Sequence, residues 1–305
     1  MSAVLEHVIA SIGQASAASA EAARTRVAGA GAPMLDRLAA RLASAQHTPR
    51  PRAERRVIVV VAADHAAGDP GISLAADHPT ATAARAIADG SAALSQLARA
   101  STTPIVVVDA GVREPAHMPS IAVRLDIAHP VAQLEAGIAI AISLAEGDPL
   151  ALLVLGALGV GSELASAAIV GAITRVAPSA LGDREAEAAG ERAAALPMPD
   201  ALALLADRPD IGVLAGVILG AASMNVAIVL DGHVTATAAL IATQLAPHAR
   251  GYLIAAHRGN FTMPSVLAHL GLEPIFEVGL GHGEGSGGAM IVPLADQVAS
   301  LTQRE

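Results

Sequence analysis

Short apolar runs recur along this chain, and each is followed by small or acidic residues and then by a stretch with helical spacing. The runs are 57–62 (VIVVVA), 105–108, 150–155, 226–230, 252–255 and 275–278. They are apolar at successive rather than alternate positions, which is the pattern of strands buried on both faces. Between them, 83–99, 132–144, 162–174, 211–222, 235–245 and 263–270 read as helices. Such alternation predicts an α/β fold with a doubly wound parallel sheet flanked by helices. Ligands of such sheets bind beyond the carboxyl ends of the strands. Polar or glycine-rich clusters fall there: Asp64-His65, Asp109-Ala110-Gly111, 156–161, Asp231-Gly232 and His257-Arg258-Gly259.

The apolar segment 211–230 is about the length of a membrane span. It nevertheless contains Gly212, Gly216, Gly220, Ser223 and Asn225, and its character changes midway. A buried helix followed by a strand over 226–230 accounts for it better, so no membrane partner is expected. The chain is 53% hydrophobic but only 1% aromatic, so Ala, Val, Leu and Ile must build the core. A net charge of −9 and a near absence of rings argue against nucleic acid as a partner. With no cysteine, disulfides, thiolate metal sites and a cysteine nucleophile are excluded. The first residues, MSAVLEHVIA, lack a basic segment followed by a long apolar one, and the expected location is cytoplasmic.

Residues 1–50 are Ala-rich, with Met34, Leu35, Leu38 and Leu42 at helical spacing, and Pro49, Pro51 and the AERR segment mark a linker. The stretch 178–199 reads as an exposed helix or loop.

The sharpest local signal is 281–288, GHGEGSGG, between a strand and the helical stretch 290–301. Its glycines let backbone approach a ligand closely, and Glu284 is placed to act as a base. A tight connection with a surface carboxylate is the plain alternative. A second glycine loop, 156–162, suits a phosphate by position, but it is neither a Walker A sequence nor a dinucleotide fingerprint. Close helix–strand packing explains it equally. Asp64 and His65, with Asp77, His78 and Asp109, could suggest a metal site, yet no ligand motif is recognisable. A hydrogen-bonded role at a strand end is the expectation, with no metal and no cofactor. Thr80 fits a helix cap. The chain has no G-x-S-x-G elbow for a hydrolase triad.

Read together, these segments resemble the nicotinate-nucleotide–dimethylbenzimidazole phosphoribosyltransferase (CobT) family over most of the chain. The similar stretches are VVVAADHAAGDPGISLAADHPTATAARAIADGSAALSQLA, IVVVDAGV, LEAGIAIAISLAEGDPLALLVLGALGVGS, DIGVLAGVILGAASMNVAIVLDGHVTATAALIA, AHRG and LGLEPIFEVGLGHGEGSGGAM. The GEGSG loop is the most specific match. The resemblance implies a Rossmann-like sheet with a small helical domain from both chain ends: 1–50 and 285–305 beside a body of 51–284. It implies a homodimer that transfers phosphoribose from nicotinate mononucleotide to 5,6-dimethylbenzimidazole without a metal. By the same resemblance Glu284 is the catalytic base, and Ser73 belongs to the benzimidazole pocket. Leu158, Gly159 and Gly161 lie beside the nucleotide. Asp64, His65, Asp231, Gly283, Gly285 and Ser286 complete the expected substrate-binding set.

The chain departs from the family pattern at several positions. Ala157 replaces the acid of a GEMGIGNTT-type loop, and Ser162-Glu163-Leu164 replaces its Asn-Thr-Thr end. The GRGTG-type segment has no clean counterpart near 181–184, and only Arg192 lies where a nucleotide-site lysine is sought. Most replacements fall where the nucleotide phosphate and ribose should sit. Two alternatives therefore stay open: a catalytically weak or inactive paralogue that binds a benzimidazole, nucleoside or partner protein, and an enzyme for another base or donor.

Overall fold

The computed structural model describes residues 1–65, 79–112, 123–125, 127–175, 184–197, 200–277, 279–280 and 283–303. Among these, the apolar runs form strands β1 (Arg56–Ala63), β2 (Ile105–Gly111), β4 (Leu152–Leu158), β5 (Ala227–Leu230), β6 (Leu253–His257) and β7 (Pro274–Phe276). A two-residue strand, β3 (Val123–Arg124), joins them at one edge. Every pairing is parallel, in the order β3-β2-β1-β4-β5-β6-β7. The central strands β4 and β5 are buried throughout, as continuous apolar runs require when helices cover both faces. The chain winds outward from β1 through β2 to β3 and returns to β4 on the other side of β1. The switch point of the sheet is therefore between β1 and β4.

The helices are α1 (Ala3–Ser11), α2 (Ala17–Val27), α3 (Pro33–Ala45), α4 (Pro79–Ala88), α5 (Ala93–Ala100), α6 (Pro130–Leu144), α7 (Ser162–Thr174), α8 (Arg184–Ala195), α9 (Pro209–Ser223), α10 (His233–Leu245), α11 (Met263–Leu270) and α12 (Ser286–Thr302). One layer packs α9 between α6 and α10, against β1, β2 and β5. The other packs α12 between α5 and α3, against β4, β5 and β6. The segment 211–230 is the expected helix and strand, α9 and β5. Gly212, Gly216 and Gly220 recur at helical spacing on the side of α9 that meets α6. A Cβ on Gly216 would stand 2.1 Å from the Leu134 carbonyl oxygen, so the two backbones meet almost directly. These glycines explain why an apolar helix of this kind serves a packed core. Among the described residues, no helix is long and apolar enough to cross a membrane.

The stretch 83–99 is two helices rather than one. Asp89 Oδ1 accepts from the Ser91 amide at 2.9 Å, and Gly90 has φ +87°, a turn that a continuous helix does not permit. Thr80 is not a cap: it lies inside α4, buried, and its hydroxyl donates to Asp64 Oδ1 at 2.5 Å. The single tyrosine, Tyr252, is fully buried. Its hydroxyl lies 3.0 Å from the Gly13 carbonyl oxygen and 3.2 Å from His47 Nε2, tying the chain just after α1 and just after α3 to the start of β6.

Candidate active site

At the end of β5, Asp231 and Gly232 turn the chain into α10. Asp231 is fully buried. His257, at the end of β6, accepts the Gly259 amide on Nδ1 at 3.0 Å, so the ring hydrogen sits on Nε2. Nε2 donates to Asp231 Oδ1 at 2.5 Å. The other oxygen, Oδ2, accepts the Gly287 amide at 2.8 Å. That amide belongs to the first turn of α12, one of the donors a helix leaves unpaired, and the carboxylate's charge suits a helix N-terminus. One buried acid thus joins the ends of β5 and β6 to the start of α12.

The Glu284 loop is clamped from the other side by β4. The Gly283 carbonyl accepts from the Ala157 amide at 2.9 Å. A Cβ on Gly156 would lie 2.3 Å from the Glu284 carbonyl oxygen, and one on Gly232 would lie 2.4 Å from Gly283 Cα. Gly285 turns into α12 at φ +106°. Gly156, Gly232 and Gly283 are there because backbone meets backbone, while Gly287 and Gly288 leave room for the His257, Asp231 and Val154 side chains.

Glu284 faces a cavity of about 150 Å³ at the carboxyl end of β4, beside the switch point. Ala157 and Leu158 of β4, with Gly159, form one wall, and Ser162 and Glu163 at the start of α7 form the next. His233 and Val234 of α10 and Phe261 close it opposite Gly283 and Glu284. Burial pushes the His233 imidazole below the ordinary histidine value; Glu163 and Asp210 pull it up, and His65 pushes it down. His233 Nε2 is 3.3 Å from Ser162 Oγ, and its ring meets Phe261 edge-on at 5.1 Å. The charged residues among the described lining are Glu163 and Glu284.

Of the expected site residues, Leu158, Gly159, Gly283 and Glu284 are brought together around this cavity. Gly161 starts α7 at φ +79°, and Ser286 is the first residue of α12. Asp64, His65 and Asp231 stand behind the cavity wall in hydrogen-bonded positions. Asp64 Oδ1 accepts Thr80 Oγ1 and the Val160 amide, the latter at 3.1 Å. The His65 amide donates to the Val160 carbonyl at 2.9 Å, and its Nε2 is 3.0 Å from Asp210 Oδ2. Burial is the largest single influence on His65 and opposes its charge, but the charge and hydrogen bond of Asp210 outweigh it and raise the imidazole above the ordinary value. Asp109 Oδ1 accepts the amides of Gly111 and Val112. Among the described residues, no group of three or more histidines and acids is placed to hold a metal. Ser73, Asp77 and His78 lie outside the described residues.

Sequence reasoning missed His233 and Asp210. His233 follows Asp231-Gly232 at a strand-to-helix turn, which was the available signal. Asp210 read only as the acid bounding an apolar run; its pairing with a residue 145 positions away leaves no local trace.

Residues 12–304 match the family model described as Phosphoribosyltransferase. The chain belongs to this phosphoribosyltransferase family. It is 34% identical to the nicotinate-nucleotide–dimethylbenzimidazole phosphoribosyltransferase of Roseiflexus castenholzii, over 98% of this chain and 94% of that one. It is 31% identical to the protein of the same name from Pseudomonas syringae, over 88% of this chain and 85% of that one. Among solved structures it is similar to CobT from Thermus thermophilus, with a TM-score of 0.79 and 27% identity over 93% of this chain and 96% of that one. The α/β fold and the family resemblance expected from the sequence are both borne out. Two departures from the family's loop, Ala157 and Glu163, meet in the cavity itself. A carboxylate is present there, but α7 supplies it rather than β4.

Proposed function

We propose that this chain transfers phosphoribose from nicotinate mononucleotide to 5,6-dimethylbenzimidazole, giving α-ribazole 5′-phosphate and nicotinate. The observation that carries the reading is Glu284, the carboxylate of a backbone-locked loop facing the cavity beside the switch point. Its carboxylate takes the proton from one imidazole nitrogen as the other attacks C1′ of the ribose. The bond from C1′ to the nicotinate nitrogen breaks with its electron pair going to nicotinate, and attack from the opposite face inverts the anomeric centre. Glu163 supplies negative charge to the same cavity, where positive charge develops on the ribose carbon in the transition state. The fixed loop supplies positioning. Leu158 and Gly159 line the nucleotide side, and Ser73 serves the benzimidazole. No metal takes part, and the enzyme acts in the cytoplasm as a homodimer.

The names of the relatives and the GEGSG loop support this reading. A second reading, a catalytically weak paralogue, is favoured by Glu163, whose charge opposes a dianionic phosphate in the same cavity. Incubating the purified protein with both substrates and following α-ribazole phosphate by chromatography separates them. Product at catalytic rates supports the transferase; substrate binding without product supports the paralogue.

A further inference from the structure

We propose that the cavity between α2, α3 and the start of β7 is a second small-molecule site, specific for phosphate-bearing anions. It lies at the amino end of β7, the opposite end of the sheet from Glu284, and encloses about 440 Å³. That size falls within the usual range for small-molecule pockets, roughly 300–1,000 Å³. No residue lines both this cavity and the one at Glu284.

The walls are cationic. Arg24 of α2 and Arg37 and Arg41 of α3 line the cavity, with Glu273 as the single acid among the described lining residues. Arg37 and Arg41 are one helical turn apart and so share a face of α3. Ala17, Ala20 and Ala40 leave room between the helices because their side chains are single methyl groups. A fourth guanidinium stands at the rim: a Cβ on Gly271, itself a lining residue, would lie 2.5 Å from Arg250 Nη2. This concentration occurs in a chain whose net charge is −9.

The cluster is not neutralised from within. Arg24 pairs with Glu21 at 3.2 Å where both are largely exposed. Arg37 Nη2 donates to the Ile275 carbonyl at 3.2 Å, and its Nε is buried without a partner. Among the described residues, no ion pair engages Arg37, Arg41 or Arg250. Burial first, then Arg250 and Arg24, hold the Arg41 guanidinium below the ordinary arginine value, while Glu273 pulls it back. Guanidinium groups brought together in this way repel one another, and an anion between them relieves the repulsion. Their planar forks match phosphate oxygens with paired N–H donors, which favours a phosphate over a halide.

The test is calorimetric titration with pyrophosphate, at an ionic strength fixed with chloride, on the wild type, Arg41→Gln and the double variant Arg37→Gln/Arg41→Gln. A parallel arm uses citrate. The expected result is saturable pyrophosphate binding to the wild type, weakened about tenfold by the single change and lost in the double, with unchanged far-UV circular dichroism. Should the double variant misfold, Arg41→Lys keeps the charge but not the fork, and it must still weaken binding. Equal affinity in the wild type and folded variants would place the anion elsewhere and overturn the proposal. So would no binding to the wild type, or citrate binding as tightly as pyrophosphate. Loss of self-association in the double variant, without anion binding to the wild type, would assign the arginines to a second copy of the chain and overturn it equally.

Discussion

The carboxylate of Asp231 accepts the amide of Gly287 at 2.8 Å across 56 positions of chain. With His257 on its other oxygen, it fixes the helix start that immediately follows Glu284. Asp231→Asn leaves one acceptor oxygen for two donors and turns an amide N–H₂ towards one of them. We expect a loss of about 1–3 kcal/mol in unfolding free energy, the usual cost of an unsatisfied buried group, together with a fall in kcat. Urea unfolding and steady-state rates on the same variant check both; unchanged stability would mean that the two hydrogen bonds do not hold the loop.

Gly156→Ala tests the clamp from the β4 side. Its Cβ would meet the Glu284 carbonyl oxygen at 2.3 Å, so the loop must move. A displacement near 1 Å at a reacting group can lower the rate by roughly a hundredfold, and we expect a kcat decrease on that order. Gly13→Ala is the control, because a Cβ there meets nothing within 4 Å. Equal rates in the two variants would show that Glu284 tolerates the shift.

Much of this geometry was legible in the sequence, and the limits have physical causes. Long apolar runs such as 57–62 and 226–230 are buried on both faces, so composition alone marks them as strands. The two-residue β3 carries no such run, and it pairs only through Val108 and Asp109 of its neighbour. The break at Asp89-Gly90 was hidden because apolar spacing continues across it, although Asp-Gly-Ser is turn chemistry. In the site, the loop bearing Glu284 was readable because its glycines fall at every second position of one short stretch. The pairing of Asp231 with His257 and of His65 with Asp210 was not, since it depends on strand order, which no local spacing encodes.

His65 and His233 make opposite contributions to stability against pH. The folded value of His65 is raised above its ordinary 6.5, so its contribution is complete below 6.5 and is lost as pH rises through the folded value. His233 is lowered, so its folded state resists protonation and stability falls as pH drops below 6.5. Thermal unfolding of wild type and His65→Gln should therefore differ most below pH 6.5 and converge as pH rises above it, the wild type losing its advantage. A difference that grows with pH would contradict the assigned direction.

Glu163→Gln removes one of the two carboxylates from the described cavity lining. If the nucleotide phosphate approaches this wall, KM for nicotinate mononucleotide should fall several-fold, by roughly 1 kcal/mol of relieved repulsion at low salt. A rise in KM would instead mean that Glu163 holds the ribose.

Whether Glu284 is the base of a phosphoribosyl transfer is decided by the initial rate of α-ribazole phosphate formation by Glu284→Gln against wild type. The glutamine keeps the shape of the side chain and removes its basicity. General-base removal of this kind costs about 10²–10⁴-fold in rate, and a loss in that range with substrate binding retained is the predicted result. Turnover by Glu284→Gln at the wild-type rate would mean that Glu284 is not the base.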